Sequence, residues 1–242
     1  MNAMPSDTLP AALLQETVLA LVAFAAVGFA IPDALKRCTQ TVQQRNTVRF
    51  TANALLLAGL VGGAITLLAW LFAGGGTMTC FASTALPSTA DLMENLLLLL
   101  GICLLTGLYE ESFMRVLGIE AFERALDTKR AILASAALFA LLHVGTSDVS
   151  AGQLVLLQTA LKFGQALLFG VILGALYVRT RRLWPCAFIH AGFDVLYMAP
   201  NVLLTGTMPE TYASGAVGDT VLLAVSVLML SGIVLKIRKE IA

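Results

Sequence analysis

The chain contains two histidines, and each lies inside an apolar segment of helical length. His143 ends the run AALFALLH, and His190 stands four residues before Asp194. Another apolar segment carries two adjacent carboxylates, Glu110 and Glu111. Ionisable groups at membrane depth are costly, so they usually face a protein interior, pair with one another and mark function. These residues therefore predict a buried polar site that performs chemistry.

Spacing within each segment indicates how these groups pair. Residues four apart on a helix are neighbours, so Glu111 and Arg115 are expected to form an ion pair within one helix. Glu110 points about 100° away and is left without that partner. His190 and Asp194 are also four apart, so the carboxylate can orient the imidazole or share its target. The pair of Glu111 with Arg115 is consistent with a structural lock or with orientation of Glu110.

Amide hydrolysis is the reaction that this set of side chains supports best. A carboxylate in low-dielectric surroundings has its charged form disfavoured, which makes Glu110 a suitable general base toward water. His143 and His190 can hold that water or donate to an oxyanion as it develops. Two histidines and a carboxylate also form a zinc-type ligand set with an open position for water. In that alternative, Zn²⁺ would be bound by Glu110, His143, His190 and Asp194.

Composition places these groups in a membrane. The chain is 58% hydrophobic and 12% charged, with a mean hydropathy of +0.87. A soluble domain carries about 25% charged residues, and a membrane-spanning helix needs about 20 mostly apolar residues. Seven segments approach that length: Pro10–Ile31, Thr51–Phe72, Leu92–Leu117, Ala131–Val144, Leu154–Val178, Leu183–Leu204 and Thr220–Ile237. The fourth, at 14 residues, is short for a full crossing.

We therefore expect an all-α polytopic membrane bundle of about seven transmembrane helices, formed by one integral membrane domain over residues 1–242. Helical rise places the polar groups of three segments near one central level. The depths below the cytoplasmic face are about 13 Å for Glu110, 18 Å for His143, 10 Å for His190 and 16 Å for Asp194. This agreement predicts a central intramembrane polar site.

The basic residues indicate the orientation of the bundle. They occupy alternate connections and the C-terminal end: Lys36, Arg37, Arg45 and Arg49; Arg124, Lys129 and Arg130; Arg179, Arg181 and Arg182; Lys236, Arg238 and Lys239. The positive-inside rule then places the N-terminus outside and the C-terminus in the cytoplasm. Lys162 is an exception inside the fifth segment, where it is expected to snorkel or to pair with a carboxylate.

Three short motifs occur in order: EExxxR from Glu110 to Arg115, FxxxH from Phe139 to His143, and HxxxD beginning at His190. This set resembles the CPBP family of intramembrane proteases, also called the CAAX-protease and bacteriocin-processing (Abi-type) family. Its pattern is EExxxR, then FxxxH, then HxxxN or HxxxD. The resemblance covers roughly residues 92–200, which form the motif-bearing core.

The resemblance implies a membrane endopeptidase in which Glu110 activates water. Glu111 and Arg115 would support Glu110, and His143, His190 and Asp194 would complete the site.

Asp194 stands where the eukaryotic relatives, which trim prenylated CAAX proteins, have Asn. It fits the broader bacterial branch and hence a bacterial inner membrane. Family members are described both as metalloproteases and as metal-independent glutamate proteases. The glutamate mechanism is preferred here because Glu110 serves better as a base than as a ligand, and Zn²⁺ is the alternative.

The expected partners are membrane lipid and a membrane-associated peptide or protein substrate. The formal net charge of zero gives no indication of a nucleic-acid partner. Two other function classes use the same residues. One is a non-catalytic immunity or scaffold protein of the same fold. The other is an ion-coupled transporter, which is disfavoured because the sequence has no internal repeat and no paired broken helices.

Overall fold

The computed structural model describes residues 8–33, 45–73, 87–144, 152–208 and 213–241. Within these ranges the chain folds into seven long helices, α1 Leu9–Ala30, α2 Arg45–Ala73, α3 Thr89–Glu111, α4 Thr128–Val144, α5 Gln153–Thr180, α6 Leu183–Thr205 and α7 Val217–Ile241. The described residues form no β-sheet, and an isolated bridge pairs Thr8 with Thr207. The predicted all-α polytopic bundle is confirmed. Lys36 and Arg37, which contribute to the predicted orientation, lie outside the described residues.

Six of these seven helices, with α3 taken together with its extension to Phe122, are long and apolar enough to cross a membrane. The remaining helix, α4, has 17 residues and corresponds to the short fourth segment of the sequence. At 1.5 Å rise per residue it spans about 26 Å, slightly less than a bilayer core of about 30 Å. His143 is the penultimate residue of α4, and its Nε2 lies 3.8 Å from Glu110 Oε2 of α3.

A capping box defines the start of α3. The Ser88 hydroxyl accepts a hydrogen bond from the Asp91 backbone N–H at 3.2 Å, and the Ser88 N–H donates to Asp91 Oδ2 at 3.0 Å. This reciprocal pair satisfies two backbone donors at the helix terminus and fixes where the helix begins. The number of helical residues between Ser88 and the carboxylates of Glu110 and Glu111 is therefore fixed by where α3 begins.

The other end of α3 differs from the prediction. The apolar segment was expected to end at Leu117, but a π-helix, Ser112–Ile119, and one α-helical turn, Glu120–Phe122, continue it. The π-helix begins one residue after Glu111, and π-helical stretches inside α-helices frequently occur at functional sites. The apolar run ends several residues before the helical hydrogen bonding does. The length of this helix is therefore underestimated from the apolar pattern.

Polar contacts from α5 hold the end of this extension in place. Arg181 donates two hydrogen bonds to the Glu123 carboxylate, at 2.7 and 2.8 Å, and the Tyr177 hydroxyl donates to Glu120 Oε1 at 2.9 Å. The bidentate Arg181 contact holds the pKa of Glu123 below its usual range. These contacts connect the turn after α3 to the end of α5.

Helices α3 and α6 approach each other closely at Gly107. A Cβ atom at this position would lie 2.6 Å from the Ala187 carbonyl oxygen, which is nearer than two such atoms can pack. Because Gly107 has no side chain, the backbones of α3 and α6 can come close together there. This point lies about one helical turn from Glu110 and Glu111 on α3 and from His190 on α6. The crossing is what brings polar groups of the two helices into contact.

We predict that Gly107→Ala destabilises the protein by about 1–3 kcal/mol, because the added methyl group forces α3 and α6 apart. The matched control is Gly232→Ala in α7, where an added Cβ meets no atom within 4 Å. That change should be neutral or stabilising by up to about 1 kcal/mol, since Ala is a better helix former. Thermal unfolding of both variants in detergent checks the difference, and equal effects would contradict the close crossing.

Candidate active site

The structure brings all six predicted site residues into one cluster. Glu110 and Glu111 end α3, Arg115 lies in the π-helix, His143 is near the end of α4, and His190 and Asp194 lie one turn apart in α6. Three separate parts of the chain therefore meet in one cluster.

The centre of the cluster is a fully buried ion pair. Glu111 and Arg115 are both 0% exposed, and Arg115 Nε lies 3.0 Å from Glu111 Oε2. Arg115 Nη2 also donates to Glu111 Oε1 at 3.3 Å. A buried ion pair is stable only when its remaining donors and acceptors are also satisfied.

The neighbours of Arg115 supply those contacts. Arg115 Nη1 donates to Ser135 Oγ at 3.4 Å, and the same hydroxyl donates to the Met114 carbonyl oxygen at 2.5 Å. The guanidinium carbon lies 4.9 Å from the centroid of the Phe139 ring, which is a favourable position for a cation over an aromatic face. The charge of Arg115 is thus compensated by a carboxylate, a hydroxyl and an aromatic ring.

His190 connects the ion pair to the rest of the site. Its Nδ1 lies 2.9 Å from Glu111 Oε1. Because an ionised carboxylate can only accept hydrogen bonds, His190 Nδ1 carries the proton. Its Nε2 lies 3.4 Å from Asp194 Oδ2 and 3.6 Å from Glu110 Oε2. One imidazole therefore contacts three carboxylates, and its orientation is fixed from α3.

His143 approaches Glu110 from α4. Its Nδ1 lies 2.8 Å from the Phe139 carbonyl oxygen, so Nδ1 is the donor and Nε2 is an acceptor in the neutral ring. Nε2 lies 3.8 Å from Glu110 Oε2. The ring also packs against Phe139, with centroids 4.1 Å apart, as the four-residue spacing predicts. Backbone and ring contacts thus hold His143 in one orientation.

The two oxygens of Glu110 have different surroundings. Oε1 accepts a hydrogen bond from the Tyr109 hydroxyl at 3.1 Å. Oε2 is buried and has no hydrogen-bond partner among the described residues. Both histidine Nε2 atoms face it, at distances too long for direct hydrogen bonds. A buried acceptor of this kind is costly unless another polar molecule binds there.

Two cavities meet this cluster. The larger, of about 510 Å³, is lined mostly by apolar side chains of the α3 extension and α4: Phe113, Met114, Leu117, Phe122, Leu138, Phe139 and Leu142. Tyr109, Glu110 and His143 also line it, so we name it the apolar cleft. Its volume lies within the usual range for ligand pockets, about 300–1,000 Å³. The cleft therefore has room for an organic ligand beside Glu110.

The smaller cavity, of about 40 Å³, lies beside both histidines and Asp194 and is also lined by Lys162 and Gln165. Lys162 Nζ donates to Gln165 Oε1 at 3.1 Å, and Gln165 Nε2 donates to the Tyr197 hydroxyl at 3.1 Å. Of the two predictions for Lys162, snorkelling or pairing with a carboxylate, its place in the same cavity as Asp194 favours the second.

Two residues near the site lie outside the predicted set. Tyr109 contacts Glu110 directly, although adjacent residues on a helix do not normally face each other. Glu16 of α1 forms a hydrogen bond with Thr106 and lies close enough to interact electrostatically with Glu110 and Asp194. A signal for Glu16 was present, because it is the only ionisable residue of α1.

The zinc alternative depends on the Nε2 atoms of His143 and His190 and on the Glu110 and Asp194 carboxylates. Among the described residues, no group of three or more His, Cys, Asp or Glu side chains is arranged to hold a metal ion. His190 Nδ1 is bound to Glu111, which leaves Nε2 for another contact; metal-ligating histidines are oriented in the same way. Zn²⁺ at this site stays a prediction.

Comparison with known proteins gives one family. Residues 92–196 match the family model described as type II CAAX prenyl endopeptidase Rce1-like. The match spans all three motifs from Glu110 to Asp194, and the resemblance seen in the sequence is confirmed over this part of the chain. No curated protein and no solved structure matches the chain.

We predict that Arg115→Ala destabilises the protein by about 3–5 kcal/mol, because it leaves the Glu111 carboxylate buried without its cation. The control is Arg130→Ala, which breaks the Arg130–Asp127 pair, whose side chains are 74% and 56% exposed. This exposed ion pair should contribute little to the free energy of unfolding. Thermal unfolding in detergent compares the variants, and a similar small effect in both would contradict the central position of the Glu111–Arg115 pair.

Proposed function

We propose that Glu110 is the general base of an intramembrane endopeptidase, from the premise that residues 92–196 match the Rce1-like family of type II CAAX prenyl endopeptidases. In this proposal Glu110 activates a water molecule that hydrolyses a peptide bond in a membrane-associated protein or peptide tail. The observation that supports it most strongly is Glu110 Oε2, which is buried, lacks a hydrogen-bond partner among the described residues and faces two imidazoles.

A water bound at Oε2 would be placed for attack. It would donate one hydrogen bond to Glu110 Oε2 and the other to Nε2 of neutral His143, each at about 2.8 Å. Such a bridging water accounts for the separation of 3.8 Å between Glu110 Oε2 and His143 Nε2, which exceeds a direct hydrogen bond. The water oxygen then keeps a lone pair directed at the substrate carbonyl.

The proposed reaction has two steps. The water oxygen forms a bond to the carbonyl carbon while its proton passes to Glu110, which gives a tetrahedral oxyanion. The imidazolium form of His190, paired with Glu111 and Asp194, can donate from Nε2 to that oxyanion. Collapse of the intermediate breaks the C–N bond, and Glu110 returns the proton to the leaving amine. The products are an amine and a carboxylic acid, which then loses its proton to solvent.

The apolar cleft indicates the class of substrate. Its walls are phenylalanine, leucine and methionine side chains, and Glu110 and His143 lie among its lining residues. A hydrophobic peptide segment or a lipid-modified tail suits such walls, with its peptide bond beside Glu110. This proposal covers prenylated and unmodified tails alike. Asp194, in the position where eukaryotic relatives carry Asn, is the residue that would distinguish this chain from them.

We also propose an orientation for the protein in a bacterial inner membrane. The N-terminus lies outside and the C-terminus in the cytoplasm, which places Arg124, Lys129 and Arg130 on the cytoplasmic side. The cleft extends from Glu110 to Ala121 and Phe122, next to this basic turn. The substrate would then approach from the cytoplasmic half of the bilayer.

Replacing Glu110 tests the general base. Glu110→Gln should lower kcat at least about 100-fold, because general-base catalysis contributes about 10²- to 10⁴-fold. The probes are a farnesylated peptide ending in a CAAX sequence and its unmodified counterpart, both reconstituted with purified protein in lipid vesicles. Mass spectrometry identifies the products.

The matched control is Glu94→Gln, the same chemical change at an exposed position of α3, which should leave kcat unchanged. Cleavage by Glu110→Gln at the wild-type rate would refute the general base. Absence of cleavage of both peptides by wild-type protein would favour a non-catalytic immunity or scaffold protein.

Metal removal separates the glutamate mechanism from the zinc alternative. We expect purified wild-type protein to contain far less than one zinc per chain and to keep its activity after chelation. Elemental analysis and cleavage assays before and after dialysis against a chelator provide the measurement. Stoichiometric zinc that is lost together with activity in His143→Ala would contradict this expectation and establish a metalloprotease.

A further inference from the structure

The hydrogen bond between Tyr109 and Glu110 has an unusual geometry. Side chains of consecutive helical residues point about 100° apart, so they rarely meet. Here the Tyr109 hydroxyl nevertheless lies 3.1 Å from Glu110 Oε1. Both side chains line the apolar cleft, so each turns toward the same space to make this contact.

This contact distinguishes the two oxygens of one carboxylate. A carboxylate rotates about its terminal bond with little preference, so its two oxygens are equivalent unless a neighbour distinguishes them. The Tyr109 hydroxyl donates to Oε1, whereas Oε2 faces the Nε2 atoms of His143 and His190. A Tyr109 donor therefore holds Oε1 away from the histidines and leaves Oε2 beside them.

No other described side chain forms a hydrogen bond with Glu110. Its neighbour Glu111 is occupied by Arg115 and His190, and the two imidazoles lie more than 3.5 Å from Oε2. Orientation of Glu110 thus depends on one hydroxyl group.

We propose that Tyr109 is a positioning residue of the reaction, whose hydroxyl holds Glu110 so that Oε2 is the oxygen that accepts the proton from water. This inference rests on the proposed function of Glu110. It adds a residue that none of the three motifs includes, directly before EExxxR.

The test is Tyr109→Phe, which removes the hydroxyl and keeps the ring in the cleft. Loss of a hydrogen bond to a charged group in the transition state lowers a rate roughly 10- to 100-fold, so kcat should fall by that factor. KM should stay within about twofold, because the substrate contacts of the ring remain. A loss expressed in KM alone, or unchanged kcat, would overturn the proposal.

The matched control is Tyr177→Phe. This tyrosine is buried and its hydroxyl also donates to a glutamate, Glu120, at 2.9 Å, but it lies in the contacts that hold the end of the α3 extension. We expect a modest loss of thermal stability with kcat unchanged. An equal fall of kcat in both variants would show that Tyr109 acts through general stability, and would refute the positioning role.

A double-mutant cycle with Glu110→Asp tests whether Tyr109 acts through Glu110. Aspartate is one methylene shorter, so its carboxylate cannot keep both the Tyr109 contact and the position beside the histidines. Tyr109→Phe should therefore add less than about twofold in this background, because the two residues act as a unit. Additive losses would overturn the inference.

The failures of the two proposals are distinguishable. Full activity in Glu110→Gln refutes the general base itself. Activity that requires Glu110 but is unaffected by Tyr109→Phe refutes the positioning role alone.

Discussion

The arrangement of this site depends on a charge that is completely buried, the Glu111 carboxylate. Removing an ion from water costs several kcal/mol, and this cost is offset only if the charge is paired and hydrogen-bonded. Arg115 supplies the pairing within the same helix, and His190 supplies a hydrogen bond from α6. Because both contacts need short distances, Glu111 fixes the positions of α3 and α6 relative to each other.

The reactive side of the site is arranged around this fixed centre. With its Nδ1 bound to Glu111, His190 presents Nε2 to Glu110 and Asp194. His143 arrives from a different helix, held by the Phe139 carbonyl. Glu111 is thus held in the ion pair, whereas the neighbouring Glu110 is available for chemistry. Adjacent residues on a helix can differ in this way because their side chains point in different directions. The apolar cleft is open beside Glu110, and in the proposed mechanism it would admit a hydrophobic substrate.

Much of the fold and of the site can be predicted from the sequence, because helices and contacts within one helix depend on residues that are close together in the chain. Apolar length predicts the helices, and four-residue spacing predicts the Glu111–Arg115 pair and the packing of Phe139 on His143. The contact of His190 with Glu111 could not be predicted, since it depends on how closely two helices cross. That distance is set by a glycine, Gly107, whose role is visible only when its neighbours are known.

Two other features escape prediction, each for a different physical reason. A π-helix has no compositional signature, so the extension of α3 beyond Leu117 is invisible to hydropathy. Tyr109 contradicts the general rule that adjacent helical residues do not meet. Glu16 did carry a signal, as a single acidic residue in an apolar segment. The single-domain organisation over residues 1–242, like the catalytic roles, stays a prediction.

The central claim is that Glu110 activates water and does not itself attack the substrate. A single turnover in ¹⁸O-labelled water, with enzyme in excess over a cleavable peptide, tests it most directly. If Glu110 is a general base, the first turnover places ¹⁸O in the new carboxyl group of the product, and the enzyme peptide that contains Glu110 stays unlabelled. Label in the Glu110 peptide together with ¹⁶O in the product would reveal an acyl-enzyme intermediate on Glu110 and contradict the mechanism.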